Sequence, residues 1–117
     1  MKENIRVSIG KAQFEGVLEE SPAARQFRNM LPNQFEMLEL NNNEKYAALK
    51  SGLKASPSRP GKIQAGDTML WGDETVVLFY KSFSTSYSYT RLGRITDTNG
   101  LEAAVGKGNV TVKMEPA

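Results

Sequence analysis

The stretch IRVSIGKAQFEGVL, residues 5–18, decides the fold of this 117-residue chain. Ile5, Val7 and Ile9 alternate with polar residues, which is the pattern of a strand with one buried face. Gly10-Lys11 predicts a turn, and the alternation resumes immediately after it. The stretch therefore predicts a β-hairpin near the start of the chain.

Strand patterns recur along the rest of the chain. They occupy residues 34–40, 68–71, 75–80, 92–96 and 110–114. The run TVVLFY, residues 75–80, is continuously apolar and predicts a central strand covered on both faces. No β-α-β rhythm separates the strands, so we expect an antiparallel sheet. Closure into a barrel of seven or eight strands is the economical arrangement, because a closed barrel has no free edge. We expect residues 1–117 to form a single, mainly all-β domain.

Two short helices interrupt the strands. Ser21 before Pro22 predicts a helix start, with serine as the N-cap and proline at the first helical position. The apolar spacing that follows predicts about three turns, ended by Pro32. Near the end of the chain, Asn99 and Glu102 have the spacing of a capping box, with asparagine in place of the usual serine or threonine.

Three further predictions concern the strand at residues 34–40, the segment that follows it, and a later turn. In the strand at residues 34–40, Phe35, Met37 and Leu38 are interpreted as facing inward. Residues 41–60 are rich in asparagine, serine and proline, and they predict one long loop that is either functional or disordered. Gly72-Asp73 has the signature of a two-residue hairpin turn with glycine first.

Composition excludes several classes of chemistry. The chain has no cysteine, so thiol catalysis and disulfides are excluded, and it has no histidine, so a serine–histidine triad is excluded. We expect neither a metal nor a cofactor. The net charge of +2 argues against nucleic acid as a partner, and no apolar stretch has the length of a membrane span. A cytoplasmic protein is expected, with a secreted one that has lost its signal as the alternative.

Aromatic residues concentrate late in the chain. Five of the ten lie within residues 79–89, and the last three are set among serine and threonine. Tyrosine and serine together form an adaptable contact surface. Trp71 beside a hairpin turn has two interpretations, core packing or a pocket wall. The candidate ligand-binding residues are Glu44, Tyr46, Trp71, Phe83, Tyr87, Tyr89 and Arg91.

Several short motifs in fixed order carry a resemblance to a known family. They are Ser21-Pro22-Ala23-Ala24, Asn43-Glu44-Lys45-Tyr46, Gly66-Asp67, Leu70-Trp71, Leu78-Phe79-Tyr80, Tyr87-Ser88-Tyr89-Thr90 and Leu92-Gly93-Arg94-Ile95. In these motifs the chain resembles the cyclophilin-like domain family of small bacterial proteins, over roughly residues 5–114. The resemblance implies an eight-stranded antiparallel β-barrel with two short helices.

The same resemblance raises the question of peptidyl-prolyl isomerase activity, which is the activity of true cyclophilins. Cyclophilins place an arginine next to a histidine in a phenylalanine-histidine-arginine run, and this chain has no such run. No catalytic residue is therefore assigned. We predict little or no isomerase activity, and the alternative is an isomerase that uses Arg91 or Arg94.

The leading hypothesis from the sequence is a binding module for a peptide or small molecule. The segment 83–91 and the segment 43–46 each follow a predicted strand, so both are expected to emerge at a barrel rim. If they share that rim, each forms one wall of a cleft. Binding of single-stranded nucleic acid through stacked tyrosines is a third hypothesis, which the low net charge disfavours.

Overall fold

The N-terminal hairpin forms as the alternating pattern predicts. The computed structural model describes residues 2–117. Strand β1 (Glu3–Ile9) pairs antiparallel with β2 (Ala12–Leu18), and Ile9 lies opposite Ala12 across the turn. Ile5, Val7, Ile9, Phe14 and Leu18 are buried, and the polar residues between them are exposed or half-buried. Burial of one strand face is the main force that fixes this register.

Eight strands close into a barrel, which confirms the predicted mainly-β fold. Around the barrel the order is β1-β10-β3-β4-β7-β6-β9-β2, and every neighbouring pair is antiparallel. A two-stranded sheet, β5-β8, lies outside the barrel. The bounds of the remaining strands are β3 (Asn33–Leu40), β4 (Glu44–Ala48), β5 (Lys62–Ile63), β6 (Asp67–Trp71), β7 (Thr75–Phe79), β8 (Phe83–Ser84), β9 (Thr90–Ile95) and β10 (Val110–Pro116).

Strand β7 is covered on both of its faces, as its continuous apolar run predicts. Val76 and Leu78 belong to the large cluster that fills the barrel. Val77 and Phe79 belong to a second, smaller apolar cluster on the outside of the barrel wall. Residues from segments beyond the barrel, including Ile63 of β5, complete this outer cluster. The outer cluster is the floor on which the candidate site is built.

The first helix is shorter than predicted. Helix α1 (Pro22–Arg28) makes about two turns rather than three. The Ser21 side chain accepts a hydrogen bond from the Ala24 amide at 3.2 Å, which confirms the predicted N-cap. The chain leaves the helix at Asn29, whose amide donates to the Arg25 carbonyl at 3.1 Å, and the Met30 amide donates to the Phe27 carbonyl at 3.0 Å.

The second helix starts differently from the prediction. Helix α2 (Leu101–Val105) is capped by Gly100 in the left-handed conformation, with no side-chain cap, so the predicted capping box is wrong. The Asp97 carboxylate accepts instead from the Asn99 amide at 3.0 Å and forms a local turn before the helix. Gly106 ends the helix with a φ of 67°.

The predicted loop at residues 41–60 contains barrel strand β4, so the prediction of one long irregular stretch is wrong. Asn41 and Asn42 have φ values of 56° and 58°, which asparagine tolerates well in tight hairpin turns. They join β3 to β4, and the Asn43 amide donates to the Leu40 carbonyl at 3.3 Å. The asparagine run therefore marks a β-hairpin turn.

Two smaller predictions are also corrected by the strand pairing. Leu38 lies opposite Tyr46 on the outer face of the barrel and is 42% exposed, so it does not face inward. Phe35 and Met37 are buried, as predicted. Trp71 pairs with Thr75, which leaves a three-residue turn at 72–74 rather than a two-residue one.

A fully buried lysine ties the end of the barrel together. The Lys45 Nζ donates to the carbonyls of Gly106 and Gly108 at 2.8 and 2.6 Å, and it lies 2.9 Å from the Glu39 carboxylate. The Tyr80 hydroxyl donates to the same carboxylate at 2.6 Å. Burial opposes the ionisation of Glu39, but its hydrogen bonds, together with the Lys45 charge, outweigh burial and lower its pKa.

No helix within residues 2–117 has the length and apolar character needed to cross a membrane.

Candidate functional site

A continuous row of aromatic rings runs along the outside of the barrel wall. Tyr87 and Tyr89 both contact Trp71, each with ring centroids 5.5 Å apart. Tyr89 also packs edge-on against Phe79 at 5.5 Å, and Phe79 contacts Phe83 at 5.6 Å. These spacings and tilts are the favourable ones for aromatic pairs. The five rings therefore form one connected cluster, in which Phe79 is fully buried, and we call this cluster the aromatic row.

The aromatic row is held in place by both the barrel and the segment outside it. Phe79 and Trp71 come from the ends of β7 and β6, so their positions are fixed by the sheet. The segment that carries Phe83, Tyr87 and Tyr89 is anchored by β5–β8 pairing and by a reciprocal pair of backbone hydrogen bonds between Ser58 and Tyr89, at 3.0 and 2.9 Å. The rings are thus built on ordered backbone on both sides.

A cleft of about 650 Å³ opens between the barrel wall and this segment. Its volume lies within the usual range of small-molecule sites, roughly 300–1,000 Å³. Strands β3, β4 and β7 supply one side and residues 83–89 the other. The lining residues are Leu40, Asn41, Asn43, Glu44, Tyr46, Trp71, Thr75, Val77, Phe83, Ser84, Thr85, Ser86, Tyr87 and Tyr89.

Exposed apolar side chains gather at this cleft. The large hydrophobic residues exposed among residues 2–117 are Leu38, Leu40, Trp71 and Tyr87. Three of the four line the cleft, and the fourth, Leu38, pairs with the lining residue Tyr46. Trp71 is 47% exposed and Tyr87 is 61% exposed. Core packing is therefore the wrong interpretation of Trp71, and its ring forms part of the cleft wall.

The floor of the cleft contains an unpaired carboxylate. Glu44 is only 8% exposed, and within residues 2–117 its side chain has no hydrogen bond and no ion pair. Burial, and secondarily the negative charge of Glu39, raise the pKa of Glu44. Burial and the Glu44 charge likewise raise the pKa of Tyr89. A buried acid with a perturbed pKa in an aromatic cleft is typical of a functional site.

A second acceptor in the cleft is also unsatisfied. The Asn43 Oδ1 is buried and has no hydrogen-bond partner within the part of the chain that the structure describes. Buried polar atoms in native structures are nearly always hydrogen-bonded, so such an exception needs an explanation. Asn43 and Glu44 both line the cleft, and the Asn43 Oδ1 itself is closed to solvent.

Six of the seven predicted site residues line this one cleft, and Arg91 does not. Arg91 lies 3.8 Å from the buried Asp67 carboxylate and its side chain is 47% exposed. Arg94, on the same strand, is exposed and also lies outside the cleft lining. Both arginines belong to β9, which is separated from β7 by β6. Arg91 is held beside Asp67, and neither arginine contributes to the lining of the cleft.

The position of the cleft differs from the predicted barrel rim. Residues 43–46 are mostly strand rather than rim loop, and the cleft lies against the outer wall over β4 and β7. Sequence reasoning also missed the lining residues Leu40 and Val77. Their signal was the alternation in β3 and β7, which places every second side chain outside once the asparagine turn is recognised.

These features place the protein in the class of small, closed antiparallel barrels, here with a cleft on the outer wall. The chain belongs to the cyclophilin-like family, whose family model matches residues 7–115. The fold is also similar to the solution structure of the hypothetical protein AF2241 from Archaeoglobus fulgidus. That match has a TM-score of 0.64 and 21% sequence identity, and it covers 99% of this chain and 95% of the other. No curated protein sequence matches the chain at a significant level.

Proposed function

We propose that this protein is a binding module whose outer-wall cleft holds a peptide segment or a small molecule. The observation that carries the proposal is the exposure of Trp71 and Tyr87, two large rings that remain accessible on an ordered wall. Exposed apolar surface that is concentrated at one cleft is typical of an interaction site, whereas singly scattered apolar residues are not.

The lining supports a ligand that is partly apolar and partly polar. Leu40, Trp71 and Tyr87 offer exposed apolar contact area. Ser84, Ser86 and the tyrosine hydroxyls offer hydrogen bonds. Aromatic side chains lose little conformational entropy on binding, since each has two rotatable bonds. Such a surface fits an amphipathic ligand better than a purely charged one.

Peptidyl-prolyl isomerisation is the alternative, and the cleft offers it little support. A catalyst of this reaction needs a cationic donor near the imide nitrogen, and the charged side chain in the cleft lining is an acid, Glu44. Arg91 and Arg94 both lie outside that lining. A barrier of about 18–20 kcal/mol is therefore expected to remain essentially uncatalysed.

We expect a protease-coupled assay on a proline peptide to show no rate above background. The variants Arg91→Ala and Arg94→Ala should behave like the wild-type protein in this assay. Rate acceleration by the wild type that either substitution abolishes would overturn the prediction and favour the isomerase alternative.

A thermal-shift screen against metabolites and proline peptides tests the binding proposal. We expect at least one compound to raise the melting temperature of the wild type, since a ligand that binds only the folded state stabilises it. Tyr87→Ala should lose this shift while changing the free energy of unfolding by less than about 0.5 kcal/mol, because Tyr87 is 61% exposed. Val17→Ala, a half-buried residue on the distant strand β2, is the matched control and should keep the shift. Equal shifts in wild type and Tyr87→Ala would contradict the proposed site.

A further inference from the structure

The other buried charged side chains of the protein have hydrogen-bond or ion-pair partners. Lys45 is fully buried, and it is satisfied by two carbonyls and the Glu39 carboxylate. The buried Asp67 accepts from the Gln64 amide at 2.9 Å and lies near Arg91. Glu44 breaks this pattern, because within residues 2–117 it is buried with neither a hydrogen bond nor an ion pair. Burying a charge without a partner is costly, so an unpaired buried carboxylate marks a candidate binding site.

The surroundings of Glu44 indicate what could satisfy it. Asn43 lines the same cleft, and its Oδ1 is an acceptor without a donor that is closed to solvent. Glu44 is the charged residue of the described lining, so the cleft has net negative character and no cation of its own. Within residues 2–117 the Asn43 Oδ1 is the side-chain atom that is fully buried without a partner, so the Glu44 oxygens are still reachable by a donor that enters the cleft.

The aromatic row favours the same kind of ligand. The faces of tryptophan and tyrosine rings carry partial negative charge and attract cations that approach within about 6 Å of the ring centre. Trp71, Tyr87 and Tyr89 all line the cleft together with Glu44. A carboxylate flanked by aromatic rings is a suitable environment for an organic cation, because charge attraction and cation–π contact act together.

We propose that the cleft recognises a primary ammonium group, held by the Glu44 carboxylate against the aromatic row. This inference rests on the proposed binding function and names the ligand class for it. A primary ammonium carries three N–H donors, so it can hydrogen-bond the carboxylate as well as pair with its charge. A quaternary ammonium has the charge but no donor, and it would leave the carboxylate without a hydrogen bond. The alkyl part of the ligand then packs on the rings.

The test compares n-pentylamine, n-pentanol and pentyltrimethylammonium in titrations of the wild-type protein. Trp71 is the single tryptophan of the chain, so tryptophan fluorescence reports on the cleft. We expect the amine to bind about tenfold more tightly than the alcohol, the gain expected of a charge-assisted hydrogen bond. The quaternary ion should bind more weakly than the primary amine. Equal affinities for amine and alcohol, or tighter binding of the quaternary ion, would overturn the inference.

The variant Glu44→Gln sharpens the result. It should reduce amine binding about tenfold and leave pentanol binding unchanged, because the neutral amide keeps the shape of the side chain. Glu36→Gln, an exposed glutamate on β3 outside the cleft lining, has the same change in net charge and should keep the preference for the amine. An unchanged preference in Glu44→Gln would overturn the role of this carboxylate. The wild-type comparison decides the ligand class even if the variant does not fold.

The same titrations distinguish failure of the ammonium inference from failure of the binding proposal. If amine and alcohol bind in the cleft equally well, the ammonium inference fails while the binding proposal survives. If none of the three probes perturbs Trp71 and the thermal-shift screen also finds no ligand, the binding proposal fails with it.

Discussion

Lys45→Met is expected to lower the free energy of unfolding by about 3 kcal/mol, since breaking a buried, hydrogen-bonded charge pair is strongly destabilising. Methionine has nearly the same length as lysine, so the substitution removes hydrogen bonds and charge without opening a large cavity. The carbonyls of Gly106 and Gly108 would lose their donor, and Glu39 would keep only its bonds from Tyr80 and the Asn42 amide. Chemical denaturation of both proteins measures the difference.

The matched control for this prediction is Lys113→Met. Lys113 is 46% exposed and lies 3.9 Å from Glu115, so it makes an exposed ion pair. Pairs of this kind contribute between about 0 and 1 kcal/mol, and the control should therefore unfold almost like the wild type. Similar losses in the two variants would show that the buried lysine is not specifically required.

Gly93→Ala is expected to destabilise the barrel by about 3 kcal/mol, near the upper end of the cost of overpacking. A Cβ at position 93 would lie 2.2 Å from the Val17 carbonyl oxygen and 3.0 Å from the Leu18 Cα. Both are backbone atoms of β2, which cannot move aside as a flexible side chain could. Leu18 pairs directly with Gly93 where β2 and β9 close the barrel, so the substitution would force that seam apart.

Gly108→Ala serves as the control for the glycine prediction. A Cβ there would meet nothing within 4 Å, and its φ does not lie in the left-handed region. The substitution should be neutral or stabilising by up to about 1 kcal/mol, through the reduced entropy of the unfolded chain. If Gly93→Ala melted at the temperature of Gly108→Ala, the close packing of β2 on β9 would be wrong.

The barrel could be predicted because its strands are amphipathic in a simple way. Ile5, Val7 and Ile9 alternate with polar residues, and burial of one face leaves only one register for the hairpin. The continuous run in β7 was equally informative, since a strand covered on both faces needs apolar residues at every position. Local pattern and global fold agree in these elements.

Strand β4 was missed because its pattern conflicts with its position. Lys45 faces the barrel interior, where an apolar residue is the normal expectation, and Glu44 and Tyr46 face the outer wall. The interior lysine is possible only because carbonyls after α2, about sixty residues later, come to meet it. A contact of that sequence separation leaves no trace in the local alternation.

The sequence predicted most of the residues that line the cleft, but not the position of the cleft on the outer wall of the barrel. Aromatic residues among serines indicated a contact surface, and the rings of Phe83, Tyr87 and Tyr89 do line one cleft. The assignment of Arg91 failed to account for the order of strands around the barrel, which places it beside Asp67. Arg91 lies opposite Met69 on the outer face of the barrel, and its guanidinium is beside Asp67 rather than in the lining of the cleft.

The most direct test of the central claim, that the outer-wall cleft binds a ligand, is the indole N–H resonance of Trp71 in an amide NMR spectrum. It is a single resonance, because the chain has one tryptophan, and its ring lies in the cleft wall. The account predicts that compounds found in the thermal-shift screen move this resonance and the amides of residues 83–89, and leave those of β1 and β2 in place. Shifts confined to β1 and β2, with an unmoved Trp71 resonance, would contradict it.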